Sequence, residues 1–378
     1  CALPILVARL EAADIAFTNL EGAIVGRYGG WPMKDTSVAG LAPEVLDDLR
    51  SMGFRLLSLA NNHAADLGPG GILSSIDEAR ARGFTVAGTG ASADAAAAPG
   101  VAECGGRRVA LVALDSGPWG EHVYAGGTRP GVNRLRVTRH IGLPRDLVAQ
   151  LERAAAEAGH RQRSETRIAV GFQKPGPAGT VDFFGVPVEP AEGACERWIV
   201  DEADLAVHEA AVGRAAAECD LVVVYLHNHH WPADWMVPPG WMREVAARLL
   251  RAGGDVFLSH GAPVLQGLEL IDGKPAAYGL GNFIFHSGNR QVRRFAEVWR
   301  SALLTFRWRD RALTGIDAVA LSLGDPQTHG DPNSSRDVPR LWTGPEAQSY
   351  LRAWLSRGFV DTDAWQVDDN GEIGRAHV

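Results

Sequence analysis

The sequence predicts an α/β fold whose strands deliver polar side chains to a shared site, and three observations carry the prediction. Short apolar runs of strand length alternate with longer segments of helical spacing. Several of those runs break abruptly into polar residues, at Asn19-Leu20-Glu21, Asn61-Asn62-His63, His227-Asn228-His229-His230 and Ser259-His260-Gly261. Open α/β sheets place their ligands at such carboxyl ends. Finally, a chain of 378 residues, 46% hydrophobic and 22% charged, has the composition of a globular protein with a substantial core.

Other classes are excluded by charge and cysteine usage. A net charge of -8 without a Lys/Arg block argues against nucleic acid as a partner, because phosphate contacts need a basic face. No apolar run reaches the length of a bilayer span. The four cysteines, Cys1, Cys104, Cys195 and Cys219, form no CxxC pair or zinc-knuckle spacing and are too sparse for a disulfide scaffold. Cys1 in place of Met is consistent with a removed signal, a lipidated cysteine or a fragment.

In chain order, Leu3 to Leu10 reads as a helix and Asp14 to Phe17 as a strand ending at Glu21, which alone is either a metal ligand or a satisfied strand-end acid. Pro43 to Ser51 has a helical face of Val45, Leu46 and Leu49. Phe54 to Leu59 is the next strand. Its polar end, Asn61-Asn62-His63, suits a borderline metal, since an amide oxygen and an imidazole both ligate; the competing reading is a turn with a capping Asn. Gly71 to Arg82 is helical, Thr85 to Gly88 and Arg108 to Leu114 are strands, and Ala93 to Ala98 is taken as a loop.

Residues 116–200 change character. Trp119, Glu121, His122 and Tyr124 lie in a Gly-rich loop that forms a candidate substrate rim, Arg145 to Ala158 is helical, and Pro175 to Gly193 is loop-rich. The region is expected to be a loop-rich insertion over the active-site face. An Ala-rich helix, Leu205 to Glu218, then leads into the strongly apolar strand Leu221 to Leu226. On a strand His227 and His229 point to one face, so two imidazoles reach a shared ion; the alternative is an exposed histidine loop.

Trp241 to Ala252 is a helix, and Asp255 to Phe285 is the most informative stretch. A buried strand, Val256 to Leu258, stops at His260; the pieces Leu268 to Ile271 and Ala276 to Leu280 flank Asp272-Gly273 as a hairpin; Gly279 and Gly281 bracket the approach to Asn282. Strands at Trp299 to Arg307 and Leu313 to Leu321 follow, then a polar loop from His329 to Arg340, a helix from Glu346 to Arg357 and a weakly structured tail. Four strand ends carrying Glu21, Asn62 with His63, His227 with His229, and His260 describe an O/N site for one or two divalent ions, Zn, Mn or Fe in preference to Ca or Mg.

The same residues make the chain resemble the CapA family of poly-γ-glutamate capsule synthesis, within the calcineurin-like metallophosphoesterase superfamily. The blocks are AADIAFTNLEG at Ala12 to Gly22, LANNHAADLG at Leu59 to Gly68, RPGVNRL at Arg129 to Leu135, VVVYLHNH at Val222 to His229, and GGDVFLSHGAPVLQGLELIDGKPAAYGLGNFIF at Gly253 to Phe285. The resemblance implies a four-layer α/β/β/α sandwich over residues 1–325, with 326–378 as a carboxyl-terminal loop, helix and tail. It further implies Glu21 as a bridging carboxylate, Asn62, His227, His229 and His260 as metal ligands, His63 and Asn61 as catalytic groups, and Arg129, Asn282 and His230 as substrate contacts. Two departures stand out. The family's opening strand, ending in a metal-binding Asp, is missing, so the chain is expected to be amino-terminally truncated; and Pro263 stands where another His is common. The expected function is a metal-dependent hydrolase or transferase on an amide or phosphoester of an anionic small molecule or polymer such as a γ-glutamyl chain; the alternative is a non-catalytic accessory protein of capsule assembly or export. Family members are commonly exported or membrane-anchored, and a cytoplasmic location is the alternative.

Overall fold

The computed structural model describes residues 3–34, 38–117, 120, 123–285, 295–324, 338–357, 365–367 and 373–375. It is mixed α/β, with residues Arg136–Glu202 forming one compact unit and the described residues of Cys1–Leu135 and Ala203–Val378 the other.

The larger unit is organised by a six-stranded sheet in the order Leu268–Ile271, Lys274–Ala277, Val256–His260, Leu221–His227, Arg107–Asp115, Gly100–Cys104. Its central strands are near-continuous apolar runs because both faces are covered, and they pair in parallel. The hairpin at one edge turns on Asp272 and Gly273, both with positive φ (52° and 78°), which is the backbone an Asp-Gly turn supplies. Parallel register sets His227 opposite both His260 and Asp115. The three side chains therefore lie in one row on one sheet face.

A second, three-stranded parallel sheet runs Ala16–Asn19, Phe54–Ser58, Thr85–Ala87. The two sheets share a core in which Leu56, Leu57, Val223, Tyr225, Val256 and Leu258 are buried together, and the Phe17 ring packs on that of Tyr225 at 5.3 Å between centroids. Gly240–Arg251 shows why the covering helices form: Trp241, Met242, Val245, Ala246, Leu249 and Leu250 make one apolar face, and Arg248 and Arg251 complement the dipole in the last turn. A third sheet is led by the antiparallel pair Arg300–Arg309 and Ala312–Ser322.

Three expectations are corrected. Ala93–Ala97 is a short helix, begun by the Ser92 hydroxyl accepting the Ala95 N–H at 3.2 Å, where alanine composition alone read as a loop. The stretch expected to be loop-rich carries a four-stranded sheet of Val181–Phe183, Val186–Pro190, Val137–Leu143 and Cys195–Val200, with helices Arg145–Glu157 and His160–Ala169. Those strands are short and half-exposed, and His160–Ala169 buries no residue, so hydrophobic periodicity is nearly silent there. The Pro345–Arg357 helix buries Ala347, Leu351 and Trp354 in the main core, so the carboxyl-terminal segment is not separate from the larger unit. Trp119, Glu121, His122 and residues 329–337 lie outside the described residues.

Gly261 closes the His260 strand end. Its φ is +114°, and a Cβ there would lie 1.9 Å from the Asn228 carbonyl oxygen, which belongs to the neighbouring strand end. The Asn228 N–H in turn donates to the His260 carbonyl at 2.9 Å. Gly261→Ala is therefore expected to destabilise the fold by roughly 2–4 kcal/mol, measured by chemical denaturation; a change within experimental error would show that the two strand ends separate freely.

Candidate metal centre

Two loops from the three-stranded sheet supply one side of the site. Beyond Ala16–Asn19 the chain stays anchored through the Leu20 N–H to the Ser58 carbonyl (3.0 Å), which sets Glu21 at the strand end. Asn61 joins this loop to the next: its Nδ2 donates to the Leu20 carbonyl at 2.7 Å and to Asn19 Oδ1 at 3.2 Å, and its Oδ1 accepts the His63 N–H at 3.0 Å. Every polar atom of the Asn61 side chain is engaged and the residue is fully buried.

The other side comes from the end of Leu221–His227. His227 Nε2 lies 3.0 Å from Asn62 Oδ1, 3.0 Å from His229 Nε2 and 3.9 Å from Glu21 Oε1. One ligand atom from each of Glu21, His227 and His229 falls within 4.8 Å of the others, so the structure gathers a carboxylate, two imidazoles and an amide oxygen around one point. Two ring nitrogens and two oxygens converging at these distances carry lone pairs that repel unless a proton or a cation lies between them. Burial pushes His227 well below its ordinary range and His229 down to about 4, the neighbouring histidine charges adding to both. Both rings are therefore neutral at neutral pH, the form in which an imidazole can ligate a cation. The donor set fits Zn, Mn or Fe.

The Glu21 carboxyl is raised by burial and lowered by the charges of His63 and Lys34, and solvent access to 41% of its side chain limits the rise. His63 Nδ1 sits 2.7 Å from Asp66 Oδ2, and Lys34 Nζ pairs with Asp66 Oδ1 at 2.6 Å and donates to the Asn62 carbonyl at 2.9 Å. Burial alone would raise Asp66, but bonds from His63, the Ala39 N–H and Lys34 hold it below its ordinary value. The ionised carboxylate thus fixes His63 with Nδ1 inward and Nε2 outward.

His260 stands next to His227 in the register row, its ring 5.7 Å from that of Tyr225, and burial pushes it down to about 4. Its Nδ1 has no hydrogen-bond partner among the described residues, and it lines an apolar cavity of ≈ 180 Å³ together with Asn282. It lies outside the group formed by Glu21, His227 and His229. Of the expected substrate contacts, His230 is buried with its ring edge-on to Trp241 at 6.2 Å and its backbone N–H on Asn228 Oδ1. Arg129 donates to the Tyr124 carbonyl at 2.9 Å within its own loop, and the Asn282 amide braces the Val298 carbonyl at 3.0 Å.

Sequence reasoning left four residues without a role: Lys34, Asp66, Asp115 and Tyr225. Asp115 had a signal, since it ends a buried strand as His227 and His260 do.

Comparison with known proteins bears on the same residues. The family model described as bacterial capsule synthesis protein PGA_cap matches residues 4–287, a span containing every ligand above. The chain belongs to the PGA_cap family. The Sinorhizobium fredii (strain NBRC 101917 / NGR234) protein y4sH is 30% identical over 293 residues, 74% of this chain and 60% of that protein, and y4uA from the same strain matches equally. The chain thus spans about 60% of the length of these two curated relatives. Capsule biosynthesis protein CapA of Bacillus anthracis is 32% identical over 111 residues, 29% of this chain and 25% of CapA. A 5'-nucleotidase precursor from Thermus thermophilus aligns over 74% of this chain and 41% of its own at 14% identity, with a TM-score of 0.35, too low to support any argument about fold or activity.

In this PGA_cap protein Asp115 is fully buried, its Oδ1 has no partner among the described residues, and its Oδ2 accepts only the Gly117 N–H at 3.2 Å within them. Burial pushes it up from 3.8 to about 8, with the Glu21 charge adding to the rise. The folded state then keeps a proton that the unfolded chain releases near 3.8, so this contribution to stability is complete below pH 3.8 and is lost as pH rises through about 8. In chelator-treated protein, the stability of the wild type should fall relative to Asp115→Asn between those limits, measured by denaturation at a series of pH values; a constant difference would show that Asp115 ionises normally.

Proposed function

We propose that this PGA_cap protein is a metal-dependent hydrolase or transferase acting on an amide or phosphoester of an anionic substrate, in the metabolism of a capsular polymer. The observation that carries the proposal is the convergence of Glu21, Asn62, His227 and His229 beside the ordered His63–Asp66–Lys34 chain. A bound Zn, Mn or Fe ion supplies Lewis acidity and lowers the pKa of water at neutral pH. This chain's own residues do the rest. Glu21, Asn62, His227 and His229 would hold the ion, with His260 next to His227 in the register row. His63 presents Nε2 while Asp66 retains its Nδ1, the arrangement of a group that gives a proton to a leaving oxygen or nitrogen. Lys34 neutralises Asp66 and keeps the local field favourable to an anion.

The relatives' names, capsule biosynthesis and PGA biosynthesis proteins CapA, support a role in capsule biosynthesis; an anionic polymer substrate and an exported or membrane-associated setting are part of the proposal. We also propose that the fold is the four-layer α/β/β/α sandwich, with the sheets that meet at Phe17 and Tyr225 as its inner layers. The apolar cavity supports the opening strand that the resemblance implies: it is lined by consecutive residues Ile15 to Thr18 and Ser301 to Phe306, two sheet edges, over alternating residues of the six-stranded sheet. A second reading, an accessory protein without turnover, is favoured by the position of His260 outside the three-residue group.

Elemental mass spectrometry of reconstituted protein should find one or two ions per chain, lost in His227→Ala. With p-nitrophenyl phosphate and γ-glutamyl-p-nitroanilide as probes, His63→Gln should lower kcat by about 10²–10⁴-fold with metal content unchanged. Ion binding with no turnover of either probe would support the accessory reading; no ion binding would remove the metal-dependent reading and leave the accessory one.

A further inference from the structure

We infer that Tyr225 is a positioning residue whose hydroxyl lets His227 change ring tautomer as the site takes up a cation. The inference rests on the cation-site reading above. Tyr225 and His227 are two residues apart on one face of the Leu221–His227 strand, and neither is exposed. The tyrosine hydroxyl lies 3.3 Å from His227 Nδ1. At the opposite side of the ring, Nε2 faces Asn62 Oδ1 and His229 Nε2 at 3.0 Å each and Glu21 Oε1 at 3.9 Å.

A neutral imidazole carries one ring proton, so its two nitrogens always play opposite roles. Without a cation, Nε2 satisfies its surroundings best as a donor to the Asn62 oxygen, which leaves Nδ1 as an acceptor. A cation needs the reverse: Nε2 must offer its lone pair, and the proton must reside on Nδ1. The ring loses a proton at one nitrogen and gains one at the other, by exchange, with no change in charge. Its Nδ1 partner must therefore donate in the first state and accept in the second. A hydroxyl does both. A carboxylate or a backbone carbonyl, the usual outer partners of ligating histidines, only accepts and would commit the ring to the cation-bound tautomer. Phenylalanine would do neither.

Packing fixes the hydroxyl for this role. The Tyr225 ring is held against Phe17 at 5.3 Å and His260 at 5.7 Å, so the two sheets that carry the ligands also orient the outer partner. Asn62 Oδ1, on the cluster side, defines the competing acceptor.

The test uses the full chain with ¹⁵N-labelled histidine, zinc ions as the probe, calorimetric titration for affinity and ring-nitrogen NMR for tautomer. In wild type, the His227 proton should be on Nε2 in chelator and on Nδ1 with zinc. Tyr225→Phe should bind zinc about 10–100-fold more weakly, with an unchanged circular dichroism spectrum. An unshifted affinity in Tyr225→Phe overturns the inference while leaving the cation site intact. The wild-type spectra decide independently of whether that variant folds: the same tautomer with and without zinc overturns the inference. Absence of zinc binding by wild type overturns the cation-site reading itself, and this inference with it.

Discussion

The structure depends on parallel pairing in register along the centre of the six-stranded sheet. Because Leu221–His227 lies level with both Val256–His260 and Arg107–Asp115, three buried apolar runs stop at the same height. Apolar burial fixes the strands; the point where each run ends fixes where polar chemistry can begin. His227, His260 and Asp115 share a row for that reason alone. The Asn228–His260 backbone bond and the glycine at 261 extend the pairing one step past the last apolar residue, which holds the histidine end rigid where a loop would otherwise fray.

Much of this was legible in the sequence because an apolar run that stops abruptly is a strong signal. Glu21, Asn62, His63, His227 and His229 stand out as candidates by their positions at such breaks, and the hairpin at Asp272-Gly273 is legible from its turn chemistry. What stayed hidden had no periodic or compositional mark. Tyr225 lies inside VVVYLH and reads as core, which it also is; its hydroxyl matters only because the strand places it two residues before a histidine. Asp66 stands only three residues after His63 in the same turn, whereas Lys34 reaches Asp66 from a distant loop, a proximity that no spacing in the sequence encodes. Asn61 and His230 carry the same mark, since each is adjacent in sequence to a candidate ligand; the structure buries both, Asn61 on the Leu20 carbonyl and His230 against Trp241. The strands of residues 136–202 are short, half-exposed and rich in charge, so they carry little hydrophobic pattern to detect.

The electrostatic design is uneven in an informative way. Burial favours the neutral form of His227, His229 and His260. His63, by contrast, faces an ionised carboxylate buttressed by a lysine. The imidazoles of a single cluster thus meet two different surroundings. The difference arises from what stands behind each ring: sheet interior for the first, a buried ion pair for the second.

The candidate ligands are divided between two sheets. Glu21 and Asn62 extend from the three-stranded sheet, His227 and His229 from the six-stranded one, and the same sheets meet at Phe17 and Tyr225 below. A cation held by both sets would act as a clasp across the seam, so that occupancy and cohesion of the sheets become one equilibrium. At a free-ion concentration a thousandfold above Kd, such linkage amounts to about 4 kcal/mol, comparable with a large share of a domain's net stability. Scarcity of the metal would then be felt first as a loosening of the seam between the sheets and only afterwards as a loss of chemistry.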